Sequence, residues 1–248
     1  MKTLFKTFIA VLLLIAATVQ ALTLAELNAA LSNSAGRAAE DKARDAGRMP
    51  AEVVNFLGIE EGMTVIDLVA AAGYYTEVLS LAVGSSGKVY MQNSPASLSG
   101  DRGARTAAAI DSRLANNRLA NVERLTRDLG DLGLAPNSVD AAVIALEIHE
   151  LLRSADPDAA AIFFAAIRTV LKPGGVLGVI DHSGDPASDL SALHRASENQ
   201  VIRVAEAAGL SLAGTSNILR NPQDPRTTNP FDGSIRGKTD RFLLKLQK

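Results

Sequence analysis

Along residues 58–248, short apolar runs alternate with segments whose apolar residues recur at helical spacing. Runs of this kind are typical of buried strands, and the segments between them are typical of helices. Apolar strands separated by helices form a parallel sheet that is covered on both faces. The pattern therefore predicts an α/β fold, a doubly wound and mostly parallel seven-stranded sheet with helices on both faces.

The predicted elements follow one another without an internal repeat. Strands are predicted at residues 64–69, 87–91, 122–125, 139–148, 175–181, 210–219 and 242–246. Helices are predicted at residues 74–83, 102–116, 157–171 and 189–208. Only a polar stretch, residues 220–238, joins the last two strands, so we expect the last strand to pair antiparallel.

The first 57 residues form two further segments. Lys2 and Lys6 precede an apolar run at residues 7–19, and small residues follow it, which is the pattern of a secretory signal peptide. The run is shorter than the ~20 residues that span a bilayer. We expect a signal peptide at 1–21, an N-terminal helical extension at 22–57, with helices at 22–47 and 51–57, and the main domain at 58–248. The protein would then be periplasmic or secreted, without stable membrane association after cleavage; the alternative is an inner-membrane anchor made by an uncleaved leader.

The composition narrows the function classes. The chain of 248 residues has 25 Lys and Arg against 27 Asp and Glu, a net charge of -2, so no basic excess favours nucleic acid as the main partner. It has no Cys, which excludes thiolate catalysis and zinc–thiolate sites. A small-molecule ligand remains the preferred partner.

The turn after the first predicted strand has the features of a ligand site. It runs from Asp67 through small residues, including Ala70, to Gly73, and a helix that contains Tyr75 follows. Small residues let a ligand approach the backbone, and a helix N-terminus offers free N–H groups. In doubly wound sheets such turns line the ligand crevice. A tight turn without a ligand is the alternative.

Polar side chains also gather at the ends of the fourth and fifth predicted strands. Glu147, His149 and Glu150 end the fourth strand, and Asp181 and His182 end the fifth. If the two strands are neighbours, these side chains share one crevice, where a histidine oriented by a carboxylate serves as a general base. Histidines that merely cap loops are the alternative. A metal site is less favoured, because the histidines lack close ligand spacing.

Several short motifs resemble class I S-adenosylmethionine-dependent methyltransferases. They stand at residues 64–67, 73–77, 171–175 and 181–183. A narrower resemblance, to a bacterial family of leader-bearing predicted methyltransferases, adds residues 193–195, 220–226 and 236–242 and covers roughly residues 40–248. The resemblance implies a Rossmann-like methyltransferase fold and S-adenosylmethionine as the methyl donor.

The resemblance also implies a role for each part of the site. The turn from Asp67 to Gly73 would lie under the methionine part of the donor, and the end of the second strand would hold the ribose. Asp128 and Leu129 would flank the adenine, and Glu147 would face the methyl group and the substrate. The implied donor-binding residues are Asp67, Ala70, Gly73, Tyr75, Gln92, Asn93, Asp128, Leu129 and Glu147. The candidate catalytic residues are His149, Asp181 and His182.

Three functions fit this sequence. The first is an exported methyltransferase that acts on a small molecule. The second is a catalytically weakened ligand-binding protein of the same fold, which the alanines at positions 71 and 72 favour because the usual loop has glycines there. The third is a metal- or histidine-dependent hydrolase built on the strand-end cluster.

Two other segments allow two interpretations each. His194 either begins a surface helix or covers the substrate as part of a lid. Arg226 and Arg236, in the polar stretch, either hold an anionic substrate or pair with Asp224 and Asp240. Pairing is the preferred interpretation, because charged loop residues are usually solvated or paired.

Overall fold

The computed structural model describes residues 22–248, so the predicted leader at 1–21 lies outside the described residues. The helices are α1 (Leu24–Asn33), α2 (Ala39–Arg48), α3 (Pro50–Leu57), α4 (Tyr74–Val83), α5 (Gly100–Leu114), α6 (Ile148–Leu152), α7 (Ala159–Val170), α8 (Leu190–Leu193) and α9 (Glu198–Ala207). Within residues 22–248, no helix combines the length and the apolar character needed to cross a membrane.

The strands form one seven-stranded sheet. They are β1 (Thr64–Leu68), β2 (Lys88–Asn93), β3 (Val122–Thr126), β4 (Val139–Ala145), β5 (Leu171–His182), β6 (Ser211–Ser216) and β7 (Arg241–Gln247). Their order is β3-β2-β1-β4-β5-β7-β6. The first five strands pair in parallel, and β7 pairs antiparallel with both β5 and β6. The predicted fold class is confirmed.

The core lies on both faces of the sheet, because successive side chains of a strand point to opposite sides. In β4, Val143 belongs to the core cluster that includes residues of α1, α3 and α4, whereas Ile144 belongs to the cluster that includes residues of α7 and α9 on the opposite face. Both side chains are almost fully buried. Burial of an aliphatic side chain of this size contributes roughly 1.5–3 kcal/mol to the free energy of folding. Because both faces of such a strand are buried, its sequence is a continuous apolar run.

Local sequence explains several element boundaries. Thr23 and Glu26 form a capping box that begins α1. Pro50 occupies the first turn of α3, and Gly58 ends that helix with φ 73°, as the sequence predicts.

Several predicted boundaries are wrong. The predicted strand 139–148 ends at Ala145, because Leu146 takes φ 65° and α6 begins two residues later. The predicted helix 22–47 is two helices, α1 and α2, and the predicted helix 189–208 is broken at His194, which takes φ 52°. The strand predicted to start at residue 175 starts at Leu171, which pairs with Val139.

Candidate active site

A cavity of about 660 Å³ opens at the carboxyl ends of β1, β4 and β5. It lies where the strand order reverses between β1 and β4, which is the usual ligand position in doubly wound sheets. Seven of the twelve implied donor-binding and candidate catalytic residues line it, namely Asp67, Ala70, Gly73, Tyr75, Glu147, His149 and His182.

The loop after β1 keeps a backbone shape that suits glycine although glycine is largely absent. Val69 takes φ 50°, Ala71 takes φ 48° and Gly73 takes φ 87°. A left-handed conformation at a residue with a side chain is strained, and such strain persists only where the surroundings hold it. At Gly73 a Cβ atom would lie 2.7 Å from Met91 Cε, so only glycine fits there without movement.

Two amides at the end of β2 hold this loop. Gln92 Oε1 accepts a hydrogen bond of 2.8 Å from the N–H of Val69, and Gln92 Nε2 donates to the Arg127 carbonyl at 2.6 Å. Asn93 Nδ2 donates to the Ala71 carbonyl at 3.3 Å. Both amides are buried and neither lines the cavity. The predicted donor-binding pair thus supports the loop from behind.

Asp67 is a buried carboxyl group at the base of the same loop. Its Oδ2 accepts a hydrogen bond of 2.6 Å from Thr76 Oγ1 in the first turn of α4. Burial raises the pKa of Asp67 to about 7, although the bonds from Thr76 and the nearby charge of Arg113 act in the opposite direction. A cation that enters the cavity would therefore favour the ionised form of the Asp67 carboxyl group.

A buried ion-pair network joins the N-terminal extension to the loop. Glu77 of α4 accepts hydrogen bonds from the guanidinium groups of Arg113 and Arg118. Arg113 also donates to Asp41 of α2 at 2.5 Å and to the Ala72 carbonyl at 2.6 Å. Helix α2 thereby becomes part of the cavity wall, to which Asp41 contributes. The sequence gives no indication of this network, because the residues that bond to each other are 36 or more positions apart in the chain.

His149 and Asp181 form a buried pair beneath the cavity. His149 lies on α6, and its Nδ1 is 2.9 Å from Asp181 Oδ1. Asp181 also accepts backbone N–H groups from His149 at 2.9 Å and His182 at 2.7 Å. Because β4 pairs with β5, the structure brings His149, Asp181 and His182 together. Asp181 lies behind the imidazole and does not line the cavity.

His149 and His182 differ in the direction in which their pKa values are shifted. Burial lowers the pKa of His149, but the hydrogen bond and charge of Asp181, with Glu150 and Glu147, outweigh it and raise that pKa. Burial lowers the pKa of His182 to about 4, and the positive charges nearby add to this effect. His182 Nδ1 bonds Thr239 Oγ1 at 2.7 Å. Burial, with the charges of Asp181 and Glu150, raises the pKa of Glu147 to about 7. His149 is thus suited to accept a proton, whereas His182 stays neutral.

All three histidines of the chain line this cavity. His194 Nδ1 is 2.7 Å from Glu150 Oε1, and its ring stands edge-on to that of His149 at 5.7 Å and to that of Phe231 at 5.3 Å. These contacts favour the interpretation of His194 as a cover for the cavity. Its position could not be derived from the sequence, because it depends on the break between α8 and α9.

A metal ion has one candidate position in the described part of the chain. His149, Glu150 and His194 bring potential ligand atoms within 4.8 Å of one another. Arg153 occupies the same position, with its Nη1 3.1 Å from Glu150 Oε2 and 3.3 Å from His194 Nδ1. Because this guanidinium already neutralises Glu150 and would repel a metal ion, we assign the cluster to hydrogen bonding.

Asp128 and Leu129, the residues expected beside the adenine, do not line the cavity. Asp128 is exposed, and Leu129 packs partly against the core on the α7 face of the sheet. Their proposed contact with the donor stays a prediction.

The fold can be compared with known structures. The chain is similar to an S-adenosylmethionine-dependent methyltransferase from Aquifex aeolicus, with 22% identity and a TM-score of 0.60 over 91% of this chain and 98% of that one. It is also similar to an arsenic(III) S-adenosylmethionine methyltransferase from Chlamydomonas reinhardtii, with 20% identity and a TM-score of 0.56 over 89% and 72%. The chain has the fold of class I S-adenosylmethionine-dependent methyltransferases.

A third similar structure is fibrillarin from Aeropyrum pernix, in complex with natively bound S-adenosylmethionine, with 16% identity and a TM-score of 0.51 over 79% of this chain and 73% of that one. No family model matches the sequence, and no curated protein matches it. The narrower resemblance to a leader-bearing bacterial family therefore stays a prediction. At these identities the methyltransferase fold is shown, and the activity must be argued from the site.

Proposed function

We propose that the chain is an S-adenosylmethionine-dependent methyltransferase that methylates an oxygen or nitrogen atom of a small molecule. The observation that carries the proposal is one cavity in which the β1 loop faces the His149–Asp181 pair. A donor site and a general base are thereby brought together at the position where this fold binds ligands.

The residues present fit the donor. The cavity, about 660 Å³, lies within the range of small-molecule sites. Ala71 and Ala72 line it without closing it. The donor carries positive charge on its sulfur and amino group, and Asp67 and Glu147 offer carboxyl groups whose ionised form that charge would stabilise. We propose that Gln92 and Asn93 assist donor binding through the loop that they hold.

The chemistry requires a base and a fixed geometry. When bound, S-adenosylmethionine supplies a methyl group attached to a positively charged sulfur. Nε2 of His149 would take the proton that the acceptor atom loses on methylation, and general-base catalysis of this kind typically accelerates reactions 10²–10⁴-fold. Asp181 would hold the imidazole through Nδ1 and stabilise its positive charge. In-line placement of the donor and the acceptor provides the rest of the rate acceleration.

Calorimetry tests donor binding directly. The purified protein should bind S-adenosylmethionine and S-adenosylhomocysteine, and the D67A variant should bind the first at least 10-fold more weakly. E206A, which removes an exposed carboxylate on α9, serves as the matched control and should bind like the wild type. Absence of heat and of any thermal shift at millimolar donor would reject the proposal.

Two alternatives have separate tests. A ligand-binding protein would bind the donor but release no S-adenosylhomocysteine with any member of a panel of small acceptors. A metal-dependent hydrolase would purify with zinc or iron, or recover them on reconstitution, so an empty preparation that resists loading would exclude it.

We further propose that the protein acts outside the cytoplasm, since residues 1–21 have the pattern of a secretory signal peptide. Fractionation of cells that express the full chain should place it in the periplasm or medium, with a mature N-terminus near residue 22. An uncleaved chain in the membrane fraction would support the anchor instead, and an uncleaved soluble chain in the cytoplasm would contradict both.

A further inference from the structure

A second cavity of about 560 Å³ adjoins the first. The two share part of their walls, including Leu146 and His182 from the ends of β4 and β5 and Phe231 from the polar stretch. The second cavity lies between α2 and the segment that leads into β7. A molecule in it would therefore lie against His182, which also lines the first cavity.

The wall of this second cavity is strongly basic. Its cationic side chains are Arg44, Arg48, Arg236, Lys238 and Arg241. Among residues 22–248, no Asp or Glu lines it. Since the chain as a whole has a net charge of -2, the concentration of positive charge here is a local feature.

Arg241 shows that the site is built into the fold. Its side chain is 9% exposed, its Nη2 donates to the Gly47 carbonyl at 2.5 Å, and its buried Nε has no acceptor among the described residues. Among the described residues Arg241 forms no ion pair with the neighbouring Asp240, whose carboxylate pairs with Arg226 at 3.0 Å and with Arg220 at 3.4 Å. Burying a positive charge without a carboxylate is costly, and an anion in the cavity would remove that cost.

The other cations are also available to a ligand. Arg48 stands over the ring of Tyr74 at 4.2 Å, and it has no carboxylate partner in the described part of the chain. Arg236 and Lys238 are exposed and make no ion pair within residues 22–248. Only Arg44 is paired, with Asp41 at 3.3 Å. Of the two arginines that the sequence left open, Arg226 pairs as expected, whereas Arg236 faces this cavity.

We infer that the second cavity binds the anionic end of the methyl acceptor, a small molecule that carries a carboxylate or phosphate group. This inference rests on the proposed function and names its substrate class. An anion held beside Arg241 and Arg48 would direct the rest of the molecule past His182 toward His149, whose ring centre is 6.1 Å from that of His182. The wall thus selects charged acceptors and fixes their orientation.

Thermal unfolding in the presence of small anions tests the site without any methyl donor. At 20 mM, sodium phosphate or sodium acetate should raise the Tm by about 3 °C or more over sodium chloride of equal ionic strength, as a millimolar site predicts. The phosphate and acetate arms show which anionic group fits better. The R236Q/K238Q double variant changes two exposed side chains, so it should fold and lose most of the shift.

A matched control separates binding from general salt effects. R105Q removes an exposed arginine of α5 that lines neither cavity, and it should keep the full shift. An equal shift in wild type and R236Q/K238Q, or no shift above chloride, would overturn the inference. A shift only with a long polyanion such as heparin would overturn its small-molecule part.

The anion test and the donor-binding test can fail separately. Donor binding without an anion effect would leave the methyltransferase proposal standing and remove the acceptor class. An anion effect without donor binding would leave the anion site standing and remove methyl transfer. If both succeed, turnover with 4-hydroxybenzoate should exceed that with neutral 4-hydroxybenzamide at least 10-fold in kcat/KM, and R236Q/K238Q should reduce that preference.

Discussion

The floor of the first cavity is built in two different ways. The loop after β1 is held mainly by neutral hydrogen bonds, one accepted by Gln92 and one donated by Asn93, and it keeps left-handed backbone at Val69 and Ala71. The ends of β4 and β5 are instead organised by charge, with Asp181 at the centre. The first region keeps its shape although its side chains depart from glycine, whereas the second depends on the identity of single side chains.

The largest effect is expected at the charge-organised end. Asp181→Asn replaces the anion that binds His149, so turnover should fall 100- to 10,000-fold with little change in donor affinity. The pKa of His149, followed by NMR titration, should fall as well, because it is Asp181 that raises it. E206Q is the surface control. Unchanged turnover together with an unchanged pKa would show that the pair is only structural.

The ion-pair network behind the loop should rank second. Glu77 is 1% exposed and balances two arginines, so Glu77→Gln should lower the free energy of unfolding by about 3 kcal/mol. E123Q breaks the exposed pair with Lys88 and should cost less than about 1 kcal/mol. Urea unfolding measures the free energy of unfolding of both variants. Equal losses would mean that the buried network contributes no more stability than the exposed ion pair.

The pH dependence of stability should give a smaller effect. The pKa of His182 is lowered to about 4 in the folded protein, against 6.5 for the free side chain. Between pH 4 and pH 6.5 the unfolded chain binds a proton at His182 that the folded protein does not bind. The stabilisation by neutral His182 is therefore complete above pH 6.5 and is lost as the pH falls toward 4.

The size of that loss can be isolated by substitution. Wild type should lose up to about 3 kcal/mol more than His182→Gln between pH 7 and pH 4.5. The comparison removes the opposite contributions of Asp67 and Glu147, whose pKa values are raised and whose stabilisation is lost as the pH rises toward 7. Parallel curves for the two proteins would contradict a buried neutral histidine.

The smallest effect concerns the strained loop. Ala71→Gly removes a side chain from a residue with φ 48°, so it should raise the free energy of unfolding by roughly 0.5–1 kcal/mol. Ala109→Gly, in the exposed middle of α5, should lower it by about 1 kcal/mol. Urea unfolding decides the sign, and loss of stability at both positions would show that the loop is not strained.

The two regions also differ in how far the sequence predicts them. Apolar alternation gives the sheet and places Asp67 and Asp181 at strand ends, because burial on two faces leaves a continuous apolar run. It does not locate the end of β4, since Ile148 continues the apolar run although it begins a helix. The contacts of Arg113 are also invisible, because ion pairs between distant helices leave no periodic pattern.

Asp41, Arg44 and Arg48 stand at intervals of three and four residues, on one side of a ten-residue helix that precedes the first strand. Substitution of these three residues would change which molecules the two cavities accept and would leave the sheet unchanged. Helix α2 is therefore a part of the molecule in which substitutions would change ligand selectivity while the strands of the sheet stay the same.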